Sequence, residues 1–483
     1  MNIEKIIDII CEGKDDSQVE GFLKFFATKL WNQYNEYLMD EVLVVENKVK
    51  ELSFNIPNAK ENQPYETIVT INNQEVRDKI IIQEVVGLSL EQHGLTIEVC
   101  EDKKGFKISG VPSLEAFRKD GATVQNSSFN LIMKYRFEGL ELPSDRSVLE
   151  LTIAFIINQD PRKLWKNHPV DWEGMPEPKY QKDDTQAEYV KVESLADGTP
   201  QKDIVAASKR GRSHAQEAKP RDDHFKLYHD DTTNWYVMAV ADGAGSAKFS
   251  REGSRIACET AVEHCKALLT NCKKFEEEID TYDLFKNESE SEARKVVGDY
   301  IYRIVGTAAF KAQKAIFEEA KKQNQPSKLY ATTLLLTICK KFGYGWFVAS
   351  FWVGDGAICL YDKEAHTTKL LGVPDEGEYA GQTRFLTMPE IFKDATSLYQ
   401  RLRFSIVPDF TALFLMTDGV SDPMFETDAN LNNPDKWDAL WENLKEGGVG
   451  LTDDNVEAKD QLLDWLDFWS PGNHDDRTIA MLY

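Results

Sequence analysis

Apolar and polar positions change their period three times along the chain. Up to about residue 50 the spacing is helical, with Ile6, Ile7 and Ile10, then Phe22, Phe25, Phe26, Leu30 and Trp31, falling on stripes. From about 52 short alternating runs take over: ETIVTI, KIIIQEVV, LTIEVCE, FKISG, FNLIMKYRF and VLELTIAFII. Turn residues separate them, and the series predicts antiparallel strands in a sandwich over residues 51–157. Between 158 and 203 the periodicity vanishes among prolines and charges, which predicts an extended linker.

Residues 204–483 read as one α+β unit. Strands are predicted at NWYVMAVA, ATTLLLTIC, WFVASFWVG, AICLYD, FTALFLMTDG and RTIAMLY. LLLTIC and WFVASFWVG form an expected hairpin, and WFVASFWV and AICLYD an expected second pair joined by a tight GDG turn. Long helical patterns cover roughly 250–274 and 292–322, and a tryptophan-rich one covers 434–469. Antiparallel sheets covered by helix pairs follow from this mixture. Cys258, Cys265 and Cys272 recur every seven residues, as a buried helical face would place them.

Composition narrows the classes. With 57 Lys and Arg against 81 Asp and Glu, the net charge is −24, which argues against nucleic acid and anionic membrane as partners. Seven cysteines in an odd set without a CxxC pair support neither a disulfide framework nor a zinc ribbon. The first residues, MNIEKIIDIICEGKDD, carry early acids and no long apolar core, so a cytoplasmic protein without a signal peptide is expected.

Four acidic sites share one local design. Asp242 follows WYVMAVA, Asp355 follows WFVASFWVG and Asp418 follows ALFLMT, each preceding a glycine; Asp475 and Asp476 precede RTIAMLY. Asp-Gly is ordinary turn chemistry. Four acids at the tips of apolar strands, folded together, make an anionic cluster that raises its own pKa values or recruits a hard cation such as Mg²⁺ or Mn²⁺. The loop VADGAGSAK is not a nucleotide cradle, since Lys248 stands where the second glycine of a G-x-x-x-x-G-K-[ST] loop belongs.

In order, RDDHF, VADGAGSA, VGDGA, MTDGVSD and HDDRTIAML resemble the motifs of the metal-dependent protein phosphatases of the type 2C, or PPM, family, over about 270 residues. The bacterial subgroup beginning GRSHA…RDD is the most similar. The resemblance implies a central β-sandwich flanked by antiparallel helix pairs, with metals at one edge. It implies that Asp242 bridges two Mn²⁺ or Mg²⁺ ions and that the Gly243 carbonyl binds the second. Asp418 and Asp475 complete the first site, Asp222 and Asp223 hold the second ion's waters, and Asp355 with Asp418 holds a weaker third. The implied reaction is hydrolysis of phosphoserine or phosphothreonine in a protein, a kinase or a kinase's target, by a metal-activated water. Catalytically weak phosphoprotein binding and small-molecule phosphomonoester hydrolysis are the alternatives.

The chain departs from the family pattern in three places. Ala218 stands where the phosphate-gripping arginine is usual, leaving Arg212 and Arg221 as candidates, with Lys219 behind them. Ala244 replaces a histidine, leaving His474 as a candidate acid, and GDG replaces GDSR at 354–356. GEYAGQTRFLTM, 377–388, is a candidate flap carrying Thr383 and Arg384. GLTIEV and KISGVPS loosely resemble bacterial Ig/cadherin-like modules. On this reading the β-module recruits substrate or partner, and an adhesive or carbohydrate-binding role is disfavoured.

Overall fold

The computed structural model describes residues 12–118, 127–139, 148–285, 292–375 and 383–483. The chain divides into two units, Met1–Leu164 and Trp165–Tyr483.

In the first unit, helix α1 (Asp16–Lys50) starts at Asp15, whose carboxylate accepts the Gln18 amide at 2.9 Å. Val42, Val45 and Val49 enter the unit's core. Ile6, Ile7, Ile10 and Cys11 lie outside the described residues. The alternating runs become strands. One sheet has the order β1 (Ala59–Lys60), β7 (Leu149–Asn158), β6 (Ser128–Phe137), β3 (Ile80–Val86). The other has the order β2 (Tyr65–Thr70), β5 (Gly105–Gly110), β4 (Leu95–Val99). Every second residue faces inward, as Ile153, Phe155 and Ile157 do in β7, and one core joins Ile82 and Leu131 to Val69 and Phe106 of the other sheet. The sandwich therefore matches the alternation, except that β1 pairs with β7 in parallel.

The second unit has four layers. One sheet runs β10 (His224–His229), β11 (Tyr236–Ala241), β12 (Leu334–Phe342), β13 (Gly345–Val353), β16 (Leu402–Val407). The other runs β15 (Thr367–Gly372), β14 (Ala357–Asp362), β17 (Ala412–Met416), β18 (Arg477–Leu482), β9 (Ile204–Lys209), β8 (Thr185–Val190). Met238 and Val240 on the inner face of one sheet meet Ile358, Leu413 and Ala480 of the other. Val237 and Ala239 point outward to α3 (Ser250–Leu269), α4 (Lys273–Phe285), α5 (Glu292–Ile301) and α6 (Thr307–Lys322). Phe414 and Met481 point outward to α8 (Pro434–Glu446) and α9 (Ala458–Trp465). Strands buried on both faces carry continuous apolar runs for this reason. Cys258 and Cys265 lie on the buried face of α3, while Cys272 is past its end and half-buried.

Two expectations are corrected. Strands β13 and β14 are not a pair: β13 belongs to one sheet and β14 to the other, so the GDG turn crosses between sheets. The stretch 158–203 is not an extended linker, and the unit does not begin at 204. Strand β8 pairs with β9 from Thr185 to Val190. Residues 165–183 run along the second unit as a strap, with the amides of His168 and Asp171 donating to the Ala215 and Ala218 carbonyls at 3.0 and 2.9 Å. Buried guanidiniums anchor it: Arg210 donates to the His168 carbonyl at 2.9 Å and Arg251 to the Tyr180 carbonyl at 3.0 Å. A segment held by other residues' side chains needs no apolar period of its own.

Candidate metal centre

Edge-on, the two sheets bring their acidic tips together. Asp242 directly follows β11, and this strand end is pinned to the 331–333 segment. Its amide donates to Thr333 Oγ1 at 2.8 Å, and its carbonyl accepts the Thr332 hydroxyl at 2.7 Å and the Thr333 amide at 2.8 Å. Asp355 sits in the turn between β13 and β14. Asp418 opens α7 (Asp418–Phe425) directly after β17 and Thr417. One carboxylate oxygen from each of Asp242, Asp355 and Asp418 lies within 4.8 Å of the others.

The acidic pair stands just before β10. Asp223 is fully buried, with one oxygen accepting the hydroxyls of Thr417 at 3.0 Å and Thr478 at 2.7 Å. Asp222 is buried beside it. One oxygen in each of Asp222, Asp223, Asp355 and Asp418 is buried without a hydrogen-bond partner. Gly243 admits the close approach: a Cβ there would lie 2.8 Å from the Asp222 carbonyl oxygen and 2.9 Å from the Ser250 carbonyl carbon. Orphaned acceptors of one sign, all hard oxygens, form a donor set that suits divalent cations.

Electrostatics point the same way. Burial, followed by the charge of Asp476, pushes Asp222 up to about 6 and Asp223 up to about 7. Burial raises Asp242 well above the usual carboxylate range, with Asp223, Asp418 and Asp475 adding to it. Asp418 is raised likewise, by burial and then by Asp355 and Asp475. Like charges held this close stay together only with compensation.

Asp475 and Asp476 have separated roles. The Asp475 side chain is half exposed, and its charge acts on Asp242 and Asp418, yet its nearest grouping is with His214 and Asp476 rather than with the Asp242 triad. Asp476 is buried and serves the scaffold. It accepts the amides of Gly211 at 2.6 Å and Asp222 at 2.5 Å, and lies 3.1 Å from His214 Nδ1. Burial alone would raise Asp476, but His214 and these amides hold it below the usual range. His214 is itself pushed up to about 10 against the opposing effect of burial, by Asp476 and then Asp222.

Neither candidate phosphate-gripping arginine is free to reach a ligand. Arg221 is buried, donating to the carbonyls of Asp183 at 3.2 Å and Asp223 at 2.8 Å and to the Ser208 hydroxyl at 2.5 Å. Arg212 donates to the Asp467 carbonyl at 3.0 Å and its carboxylate at 3.1 Å, and lies over Trp469. Lys219 pairs with Glu217 at 2.5 Å. His474 packs between Trp165 and Trp469, and burial lowers its pKa. Half of the candidate flap, 377–382, lies outside the described residues; in the described half, the Thr383 hydroxyl donates to Asp355.

Two cations went unpredicted. His214 belongs to the short helix α2 (Arg212–Gln216), and only its spacing before RDD hinted at a role. Lys182, within the expected linker, donates to the carbonyls of Asp222 at 3.3 Å and Asp223 at 3.0 Å and to the Ser254 hydroxyl at 3.2 Å. A lone lysine in a charged stretch carries no sequence signal of that kind.

The protein phosphatase 2C family model matches residues 210–467. The manganese-bound catalytic domain of the serine/threonine phosphatase PstP is 14% identical, covering 62% of this chain and 98% of its own at a TM-score of 0.34. The S. agalactiae serine/threonine phosphatase is 13% identical, covering 62% and 99% at 0.35. RsbX in complex with magnesium is 13% identical, covering 62% and 100% at 0.31. No curated protein matches the chain in sequence. The likeness of the first unit to Ig modules rests on sequence alone, because the family model lies wholly within the second. Matched over more than half of its length, the chain belongs to the protein phosphatase 2C family.

Proposed function

We propose that the chain hydrolyses phosphoserine and phosphothreonine in protein substrates at a centre for two Mn²⁺ or Mg²⁺ ions. The observation that carries this is the convergence of Asp242, Asp355 and Asp418 beside carboxylate oxygens without partners. Asp242 would serve both ions, and the Gly243 carbonyl the second. Asp418 and Asp475 would hold the first ion, Asp222 and Asp223 would hold the second ion's waters, and Asp355 with Asp418 would hold a weaker third. Bound divalent ions supply Lewis acidity, lowering the pKa of a shared water and neutralising phosphate charge.

The chain's own residues set the rest. Thr332 and Thr333 fix the backbone of Asp242, so its carboxylate is held at the strand end. Thr417 and Thr478 take one oxygen of Asp223 and leave the other for a ligand. With Arg221 and Arg212 committed elsewhere, the acid cluster alone would repel a phosphate dianion, so phosphate recognition would rest on the divalent cations that these carboxylates would hold. The partner class is a phosphorylated protein, either a kinase or a kinase's target.

A phosphothreonine peptide tests this, assayed with Mn²⁺, Mg²⁺ and EDTA beside an Asp242→Asn variant. The expected result is metal-dependent turnover, abolished by EDTA and lowered about 100-fold or more in the variant. Metal-dependent cleavage of an aryl phosphate without cleavage of the peptide supports a small-molecule phosphatase instead. Peptide binding without turnover supports the scaffold reading.

A further inference from the structure

Helix α1 carries an apolar stripe that is distinct from the face it buries. Val42, Val45 and Val49 point into the core of the first unit. About 100° around the axis lie Val19, Leu23, Phe26, Leu30, Tyr37 and Val44. Their spacing alternates four and three residues across almost four heptads once Gln33 and Asp40 are counted in the two remaining seam positions. Leu23, Leu30, Tyr37 and Val44 are 39, 50, 64 and 55% exposed. Among the described residues, no member of the stripe belongs to a buried core.

We propose that this stripe docks against the same stripe of a second copy of the chain. A 3.5-residue period is the pattern by which one helix seats on another of the same kind, and polar seam residues such as Gln33 and Asp40 fix register at some loss of stability. The six apolar side chains offer on the order of 600 Å² per helix, close to the ~800 Å² per partner of a stable interface. The flanking charges favour an antiparallel pair. In that arrangement Lys29 of one copy faces Glu36 of the other, which offsets Glu20 against Glu41, whereas parallel helices place Asp15 against Glu20 and Glu36 against Glu41 with no opposite-charge pair. A lipid surface is the poorer fit: Asp16, Glu20, Glu36, Asp40, Glu41 and Glu46 outnumber the four lysines of the helix, the reverse of a membrane-surface helix.

Sedimentation velocity on the full chain tests this, with wild type, a Leu30→Glu/Tyr37→Glu double variant and a Phe25→Glu control. Phe25 is 63% exposed but lies off the stripe. The expected result is a species of twice the 55.1 kDa chain mass, with its dissociation constant raised about 100-fold or more in the double variant and unchanged in the control. Circular dichroism confirms that the helix survives substitution. Three outcomes overturn the proposal: a monomeric wild type at about 50 μM, a dimer that the double variant leaves intact, or co-sedimentation of a monomeric chain with phosphatidylcholine–phosphatidylserine vesicles that the double variant abolishes.

Discussion

Asp476 is worth more to the scaffold than its place in a run of two aspartates suggests. Its carboxylate gathers the amides of Gly211 and Asp222 and the ring of His214, so one buried anion ties β18 to α2 and to the acidic pair. Asp476→Ala leaves His214 and two amides unpaired, and about 3–5 kcal/mol of stability should be lost in urea unfolding. Gly243→Ala should disturb the neighbouring acid directly, since the new methyl meets the Asp222 carbonyl; the readout is weakened Mn²⁺ affinity with the fold retained. In the first unit, His93 lies against Phe117 and Phe129 with neither ring nitrogen partnered, and burial lowers its pKa. The unfolded chain takes up this proton first, near the ordinary value of 6.5, so stability is whole above that pH and drains as pH falls toward the folded value. Hydrogen-exchange protection at Leu131 and Met133 should therefore fall between about pH 7 and pH 5, and fall less in His93→Leu. At this scale Asp242, Asp355, Asp418 and Asp475 were legible because each stands at the tip of an apolar strand. His214, Lys182 and the burial of Arg221 were not, because a lone cation in polar sequence shows no period.

Among the elements, strands were the most legible, for alternation and apolar runs report burial directly. Which sheet a strand joins was not: β13 and β14 are sequence neighbours joined by three residues, yet Gly354 turns the chain across the sandwich at φ +116. The strap of residues 165–183 was illegible for a different reason, since its hold comes from Arg210, Arg251, its own backbone and isolated side chains such as Lys182, none of which makes a period. That moves the boundary we propose for the second unit to Trp165. Deleting residues 1–164 should leave a soluble chain with unchanged metal-dependent turnover of an aryl phosphate. Deleting 1–200 removes β8, Lys182 and the strap, and should give insoluble or inactive protein. Equal activity of the two truncations would show that the strap is dispensable.

At the level of the whole chain, a net charge of −24 leaves the acid cluster in a strongly negative environment that draws cations. Family and α+β class were legible from five ordered motifs over about 270 residues, whereas the roles of the first unit were not, since a sandwich of alternating strands names no ligand. The central claim is that acids remote in sequence grip divalent ions, and calorimetric titration of the metal-free chain with Mn²⁺ measures it most directly. Two ions should bind per chain, with both affinities lowered at least about 10-fold in Asp242→Asn, since the proposed centre has that residue serve both sites, and only one lowered in Asp418→Asn. Binding heats that are absent, or identical in wild type and Asp242→Asn, would contradict the account.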